Sequence, residues 1–285
     1  LQCKVGLAAL YRDQAQLAKA EAILQEVLAL RMNRHGPDHD ATHSSKHALA
    51  ALYSSMGNIE RSIPLFEEAL QGRKAMLEPR HANILETQLA LSADYCAAGK
   101  ITEAIPLLEE VRAKVGDHRG LWLQAGDCLL TAYLRDGRTT EASDLLANHI
   151  QAKRQRYAGD GTRLALALSE TGGALLAGKA YNEAEPLLRE SLALAEAHAA
   201  DVLDRHRIRS LLGVALVGRK KYAEAEPLLV QAFEGLDKTH AETSYAALIW
   251  RAQALERVVQ LYVAWDKLDT AAEWRRKQEA SPRTK

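Results

Sequence analysis

Four histidines fall at every fourth position of the stretch RHGPDHDATHSSKH, residues 34–47: His35, His39, His43 and His47. On one helix face that interval would aim several imidazole nitrogens at a single metal ion, and Asp38 or Asp40 would add a carboxylate oxygen. The Gly36-Pro37 step breaks the series, because a glycine followed by proline ends a helix. His35 is thereby set apart, and only His43 and His47 stay one turn apart on a common helix. Two imidazoles fall short of a closed structural zinc site. The stretch therefore reads mainly as a hinge between elements, and no metal or other cofactor is expected.

The other reactive side chains make no catalytic set. Cys3, Cys96 and Cys128 are far apart and form no CxxC pair, which excludes a zinc knuckle and a disulfide framework and points to a reducing, cytoplasmic setting. Cys96 and Cys128 lie in helical Leu/Ala patterns, where a free cysteine acts as a small apolar group. There is no GxxxxGK[ST] phosphate loop, no GxGxxG, no HExxH and no GxSxG. The "DHRG" at 117–120 lacks the Asp that a kinase catalytic loop places after the arginine, and D-F-G is absent. A non-catalytic chain is expected.

Bulk properties narrow the partners. The 37 basic and 37 acidic side chains cancel, giving a pI near 7.3, whereas electrostatic binding to nucleic acid needs a basic excess or stripe. No apolar run approaches the roughly 20 residues that cross a bilayer, and no signal peptide opens the chain. The chain begins on Leu1 inside a helical pattern, as expected of a segment with further sequence ahead of it. Hydrophobic residues reach 47% but aromatics only 5%, which favours helix over sheet.

The elements that position these residues are repeated. "ALYRDQAQLAKAEAILQEVL" (9–28) aligns with "ALYSSMGNIERSIPLFEEAL" (51–70), and further copies begin at 93, 131, 174, 215 and 260. A small residue early in each second helix serves as a ruler: Ala20, Ser62, Ala104, Ala142, Ala184, Ala225 and Ala271, at steps of 42, 42, 38, 42, 41 and 46 residues. A fixed period near 40 with two helical patterns per copy predicts stacked helix-turn-helix pairs. Tyr11 or Tyr53 closes the first helix as a wedge; Gly57, Gly99 and Gly137 sit where a left-handed helix end is wanted. Glu103, Glu141, Glu183 and Glu224 complement the dipole at the start of the second helix. Pro64, Pro106, Pro186 and Pro227 are read as marking its first turn.

Tyr11, Tyr53, Tyr95, Gly57, Gly99 and the two "EAEPLL" segments (183–188, 224–229) resemble tetratricopeptide repeats (TPRs) of the long, roughly 42-residue kind found in kinesin light chains and many bacterial proteins. The resemblance spans essentially the whole chain. It implies an all-α superhelix, a TPR solenoid of about seven helix pairs over residues 1–280, with units near 1–37, 38–79, 80–117, 118–159, 160–199, 200–238 and 239–280. A C-terminal helix carrying Trp274, Arg275, Arg276 and Lys277 is the expected cap, followed by a disordered tail at 281–285. Residues 211–236 and 254–280 also resemble the C-terminal TPR region of large bacterial serine/threonine protein kinases.

In that family the first helix of each pair lines a groove for a peptide or helix of a protein partner. Carried over by position, the groove would contain Arg12, His47, Ser54, Glu86, Cys96, Asp127, Thr131, Arg135, Ser169, Glu170, Arg207, Ser210, Glu256 and Gln260. The Lys/Asn clamp of chaperone-binding TPRs has no counterpart here. The Asn ladder of kinesin light chains is missing too, with His47-Ala48 at the corresponding place. The expected function is a protein-interaction scaffold with no nucleic-acid or membrane partner; the alternative is the regulatory or substrate-recruiting TPR region of a kinase whose catalytic domain lies outside this chain.

Overall fold

The computed structural model describes residues 1–116, 118–238 and 245–280. Asp117 and the expected tail at 281–285 lie outside the described residues. Two compact units occur, Leu1–Ala142 and Ser143–Lys285. The first holds α1 (Gln2–Asp13), α2 (Leu17–His35), α3 (Asp40–Ser55), α4 (Ile59–Met76), α5 (Ala82–Ala97), α6 (Ile101–Lys114), α7 (Arg119–Arg135) and the opening turn of α8 (Thr139–Arg156). The second continues from α8 through α9 (Gly161–Ala177), α10 (Tyr181–Ala197), α11 (Val202–Gly218), α12 (Tyr222–Lys238), α13 (Tyr245–Ala264) and α14 (Leu268–Ala280). Among the described residues there is no strand. The architecture is all-α, and within each unit consecutive helices pack side by side as stacked pairs.

Seven tight turns join an odd-numbered helix to the even-numbered one after it, and they share one design. The residue five before each ruler position is left-handed: Ala15, Gly57, Gly99, Gly137, Lys179, Lys220 and Asp266, with φ between 59° and 78°. The amide that follows it bonds back to the carbonyl near the helix end, Gln16 to Tyr11 through to Lys267 to Tyr262, at 2.8–2.9 Å. This closure satisfies a carbonyl that the helix leaves without a partner. Glycine supplies the left-handed residue in only three of the seven turns.

The ruler residues are buried, Ala20, Ser62, Ala104, Ala184, Ala225 and Ala271 completely, so neighbouring axes come close. Packed over Ala20 are Ala8, Leu24, Leu49, Leu52 and Tyr53; each buried leucine contributes roughly 2 kcal/mol. Tyrosines at the end of the odd helices wedge against the preceding pair and bond its carboxylates: Tyr53 Oη donates to Glu21 at 2.8 Å, Tyr95 to Glu67 at 2.7 Å, Tyr133 to Glu109 at 2.7 Å. A cation from the following helix start covers the ring of Tyr53 (Arg61, 3.9 Å) and of Tyr133 (Arg138, 4.4 Å), adding attraction to the ring face.

The prolines do not mark helix starts. Pro64, Pro106, Pro186 and Pro227 lie inside α4, α6, α10 and α12, which begin at Ile59, Ile101, Tyr181 and Tyr222. Each is therefore in the second turn. All four are exposed, so the carbonyl freed four residues earlier is on the solvent side and water can satisfy it.

Buried cations clasp one pair to the next. Arg31 on α2 donates to the Ala41 carbonyl (3.0 Å) and Ser45 Oγ (2.9 Å) of α3. Arg73 on α4 repeats this with the Asn83 carbonyl (3.0 Å) and Thr87 Oγ1 of α5. In the second unit Lys153 on α8 reaches the Ala167 carbonyl and Thr171 Oγ1 of α9, both at 2.8 Å. All three sit eleven residues after a ruler residue; Val115, Ala195 and Leu236 hold the other places. Trp274 of α14 meets Phe233 of α12 edge-on at 5.5 Å, packing α14 against the pair before it.

Candidate functional site

Three candidate groove residues lie fifteen before a ruler residue and meet the next odd helix: His47 in the first unit, Ser169 and Ser210 in the second. In the first unit His47 Nδ1 lies 3.2 Å from Thr87 Oγ1. Thr87 spends its own proton on the Asn83 carbonyl at 2.6 Å and also accepts Arg73. His47 must therefore be the donor, and its neutral ring carries the proton on Nδ1. Burial, then the Arg73 charge, hold the His47 pKa down at about 4. Ser54 Oγ donates to Asp94 at 2.6 Å, and Ser62 Oγ donates to the other carboxylate oxygen. Asp94 is buried where the first two repeats carry Leu10 and Leu52, and Ser62 is the one ruler residue that is not alanine. Asp94 thus accepts from hydroxyls on two helices, as a buried carboxylate requires, and Ser62 Oγ also lies 3.1 Å from the Ile59 carbonyl. Arg135 Nη1 donates to the Cys96 carbonyl.

The same first-unit face contains Arg12, which bonds its neighbour Asp13 (3.0 Å), and exposed Glu86. Asp127 is half-buried, and its carbonyl accepts Thr131 Oγ1 at 3.2 Å. Cys96 is 8% exposed, and burial raises its thiol pKa. The candidates thus divide. His47, Ser54, Arg135 and the Cys96 backbone brace neighbouring odd helices, while Glu86 points outward.

In the second unit the serines take the bracing role. Arg207 Nη2 of α11 donates to Ser169 Oγ of α9 at 3.1 Å, and Arg257 Nη1 of α13 donates to Ser210 Oγ of α11 at 2.9 Å. Asp204 approaches Arg207 at 3.7 Å; burial lifts the Asp204 pKa, and the Arg207 charge opposes that rise. Trp250 of α13 lies with its ring 5.4 Å from the Arg207 guanidinium carbon. Glu170 is exposed and 3.8 Å from Lys153, and Gln260 bonds Glu256 at 3.0 Å. Sequence reasoning missed Thr87, Asp94, Trp250 and Arg257. For Asp94 a signal existed, since an acid in an otherwise aliphatic column coincides with Ser62.

The histidine stretch takes a different shape from the one its spacing suggested. His39 caps α3 by accepting the Ala41 amide on Nδ1 at 3.1 Å, and His81 does the same for α5 with Asn83 at 3.2 Å. The chain does turn at Gly36 (φ 88°), but the turn brings His35 back, and its ring stacks on His39 at 4.5 Å. His43 goes elsewhere: it is 2% exposed and lies on Gly72 of α4, where a Cβ would come within 2.0 Å of the ring. His47 instead meets Phe66 of α4 edge-on at 5.2 Å and turns its Nδ1 to Thr87 of α5, so the two rings have different partners. Among the described residues no group of three His, Cys, Asp or Glu side chains is placed to hold a metal ion.

Stacked helix pairs braced across their odd helices define a helical-repeat protein. Residues 3–75 and 42–114 match the tetratricopeptide repeat model, so this part of the chain carries TPRs. A Podosopora anserina protein assigned to the kinesin light chains, with nearly identical TPR-like repeats, is similar at 25% identity and TM-score 0.61, over 70% of this chain and 97% of that one. BtubC (BKLC) of P. vanneervenii shares the fold at 16% identity and TM-score 0.54, over 81% and 92%. So does a Rap protein solved with Competence and Sporulation Factor, at 11% identity and TM-score 0.56, over 98% and 96%. No curated protein matches by sequence.

Proposed function

We propose that the chain is a non-catalytic scaffold that holds a peptide or helix of a protein partner against the odd-helix face of its repeats. The supporting observation is the row of braced side chains. In each unit polar groups from three successive odd helices are fixed beside exposed ones: Arg135 and Glu86 in the first, Glu170 and Gln260 in the second. Pre-fixed side chains lose little entropy when a partner binds. The reading includes the seven-repeat division of residues 1–280 and a cytoplasmic setting without nucleic acid; no helix among the described residues is long and apolar enough to cross a membrane. The similar Rap structure holds a bound factor, which is compatible with such a role.

The test is charge reversal. With a partner captured by the wild-type chain, Arg135→Glu and Arg207→Glu should each weaken binding by at least about tenfold, the usual scale of an interface hot spot, while the helical circular dichroism signal is retained. Unchanged binding by both variants sinks the reading. A second reading, the regulatory or recruiting region of a serine/threonine kinase, draws on the resemblance of residues 211–236 and 254–280. Sequencing upstream of Leu1 decides it, since a kinase domain there must contain H-R-D and D-F-G.

A further inference from the structure

Neighbouring repeats of the first unit join through one arrangement, and α1 carries half of it. Where α2 meets α3, Leu24 packs with Leu49 and Leu52 over Ala20. Beside that apolar contact Glu21 accepts the Tyr53 hydroxyl at 2.8 Å and pairs with Arg61 at 3.1 Å, while Arg61 also covers the Tyr53 ring. One period earlier, the same places as Leu49, Leu52, Tyr53 and Arg61 are held by Leu7, Leu10, Tyr11 and Lys19.

The residue types are kept, but their surroundings are not. Leu49 and Leu52 are 4% and 2% exposed, whereas Leu7 and Leu10 are 41% and 59% exposed. Cys3 is exposed too, although Ser45 and Thr87, at its place in the next two repeats, are buried and accept Arg31 and Arg73 from the preceding even helix. Lys19 stands over the Tyr11 ring at 5.4 Å. Its ammonium bonds Gln16 at 2.7 Å and pairs with no carboxylate among the described residues, and the Tyr11 hydroxyl has no hydrogen-bond partner there.

A cation and a phenol donor beside two exposed leucines are complementary to a carboxylate next to a large apolar side chain. The even helices display that pair with fixed spacing: Glu21 and Leu24, Glu185 and Leu188, Glu226 and Leu229, each leucine buried. In α14 the same places hold Ala272 and exposed Arg275, so α14 of a second copy would bring a cation, not a carboxylate, towards Lys19. We propose that this face of α1 is a docking surface for a further helix pair of the same repeat pattern, whose second helix sets a Glu-x-x-Leu leucine on Leu7 and Leu10 and its carboxylate on Tyr11 and Lys19. None of these side chains is a groove candidate, so the proposal stands apart from the scaffold reading.

The chain supplies its own probe. A copy of residues 1–42, with Cys3→Ser inside the copy, is fused ahead of Leu1 so that the 42-residue period continues and Glu21 of the copy falls opposite Tyr11. Alkylation of the original Cys3 by iodoacetamide, followed by peptide mass spectrometry, reports whether the face is covered. Without the fusion, Cys3 should react as an open thiol and the chain should sediment as a monomer. With it, alkylation should slow by at least about tenfold, since reaction then waits for local opening. Glu21→Gln within the copy should speed it again about fivefold, the weight of one hydrogen bond, and Leu24→Asp within the copy should abolish the protection. Unslowed alkylation in the fused chain, or protection that survives either substitution, overturns the proposal. So does self-association of the unfused chain with Cys3 protected, which would make a second copy the occupant.

Discussion

The two units meet the same packing demand with rings in different places. In the first unit the odd helices end on Tyr11, Tyr53, Tyr95 and Tyr133, and Leu17, Ile59 and Ile101 open the even ones. In α9–α10 and α11–α12 of the second unit the order is reversed, with Leu175 and Leu216 at the helix ends and Tyr181 and Tyr222 at the starts. Tyr181 then lies on Gly218, where a Cβ would come within 2.4 Å of its ring, and Tyr222 stacks on Trp265 at 5.8 Å. What the joint requires is one ring, from either side.

The exchange leaves a carboxylate to be satisfied. Glu21, Glu185 and Glu226 each follow a ruler residue, and Tyr53 and Tyr262 donate to the first and last at 2.8 Å. The phenol that would serve Glu185 is Leu216. Instead Lys221 (2.9 Å), Arg219 and Arg189 converge on it. Burial alone would raise the Glu185 pKa, but the three cations outweigh it and the carboxyl stays below its usual range. Glu185→Gln should therefore have the largest effect on stability, a loss of about 3 kcal/mol, because it leaves Lys221 and Arg219 without their counter-charge, while Arg189 keeps Glu224 at 2.8 Å. Glu21→Gln, which removes a charge from a phenol and the exposed Arg61, should cost about 1 kcal/mol. Hydrogen exchange at the Arg219–Tyr222 turn and at the Ala15–Leu17 turn reads the two separately. Equal loss of protection would show that the two solutions are energetically the same.

Acid should separate the units next. The His47 pKa is near 4 in the folded chain against 6.5 unfolded, so protons favour the unfolded form. Its contribution is whole above pH 6.5, declines as pH falls toward 4, and amounts to about 3 kcal/mol across that window. His43 is shifted the same way by burial, Lys46 and Arg73, whereas among the described residues of the second unit His206 is the histidine so shifted. Exchange protection in α3–α5 should fall before that in α10–α12 on acidification, and His47→Gln should flatten the first decline. Parallel loss in both units, or an unaltered slope in the variant, contradicts the assignment to His47.

A third comparison uses a feature both units share. His43 rests on Gly72, and His206 on Gly235 with a Cβ approach of 2.0 Å; repeats without the histidine have Leu30, Lys114, Ala152 or Leu194 at the glycine's place. Gly72→Ala and Gly235→Ala should each cost about 2 kcal/mol through overpacking, and His43→Ala should recover most of the first loss in a double-mutant cycle. Additive effects would mean the ring and the glycine do not meet. The smallest expected change is a gain: Lys179→Gly and Lys220→Gly should each stabilise the chain by up to about 1 kcal/mol by relieving left-handed backbone strain, measured as a rise in the midpoint of thermal unfolding.

Period, helix pairing and the left-handed glycines were legible in the sequence because they depend on neighbours within one repeat. The positions of Gly57, Gly99 and Gly137 follow from local turn chemistry alone. Less legible were contacts between residues about forty apart, such as His47 with Thr87 or Arg257 with Ser210, since each half reads as an ordinary polar residue on a helix. The prolines misled for a physical reason: an exposed second turn tolerates the missing amide as well as a first turn does. The His35–His39 stack was hidden because a Gly-Pro break in the chain says where a helix ends, not where the chain returns.

The seven turns have one further consequence. Their backbone path is the same whether glycine, alanine, lysine or aspartate holds the left-handed place, so the hydrogen bond across the turn, and not the residue within it, keeps the distance between paired helices. Sequence drift at that place alters how firmly a repeat stands without altering where its helices stand. An array built this way can diverge repeat by repeat, acquiring different side chains along its face, while the spacing at which those side chains are displayed is inherited unchanged.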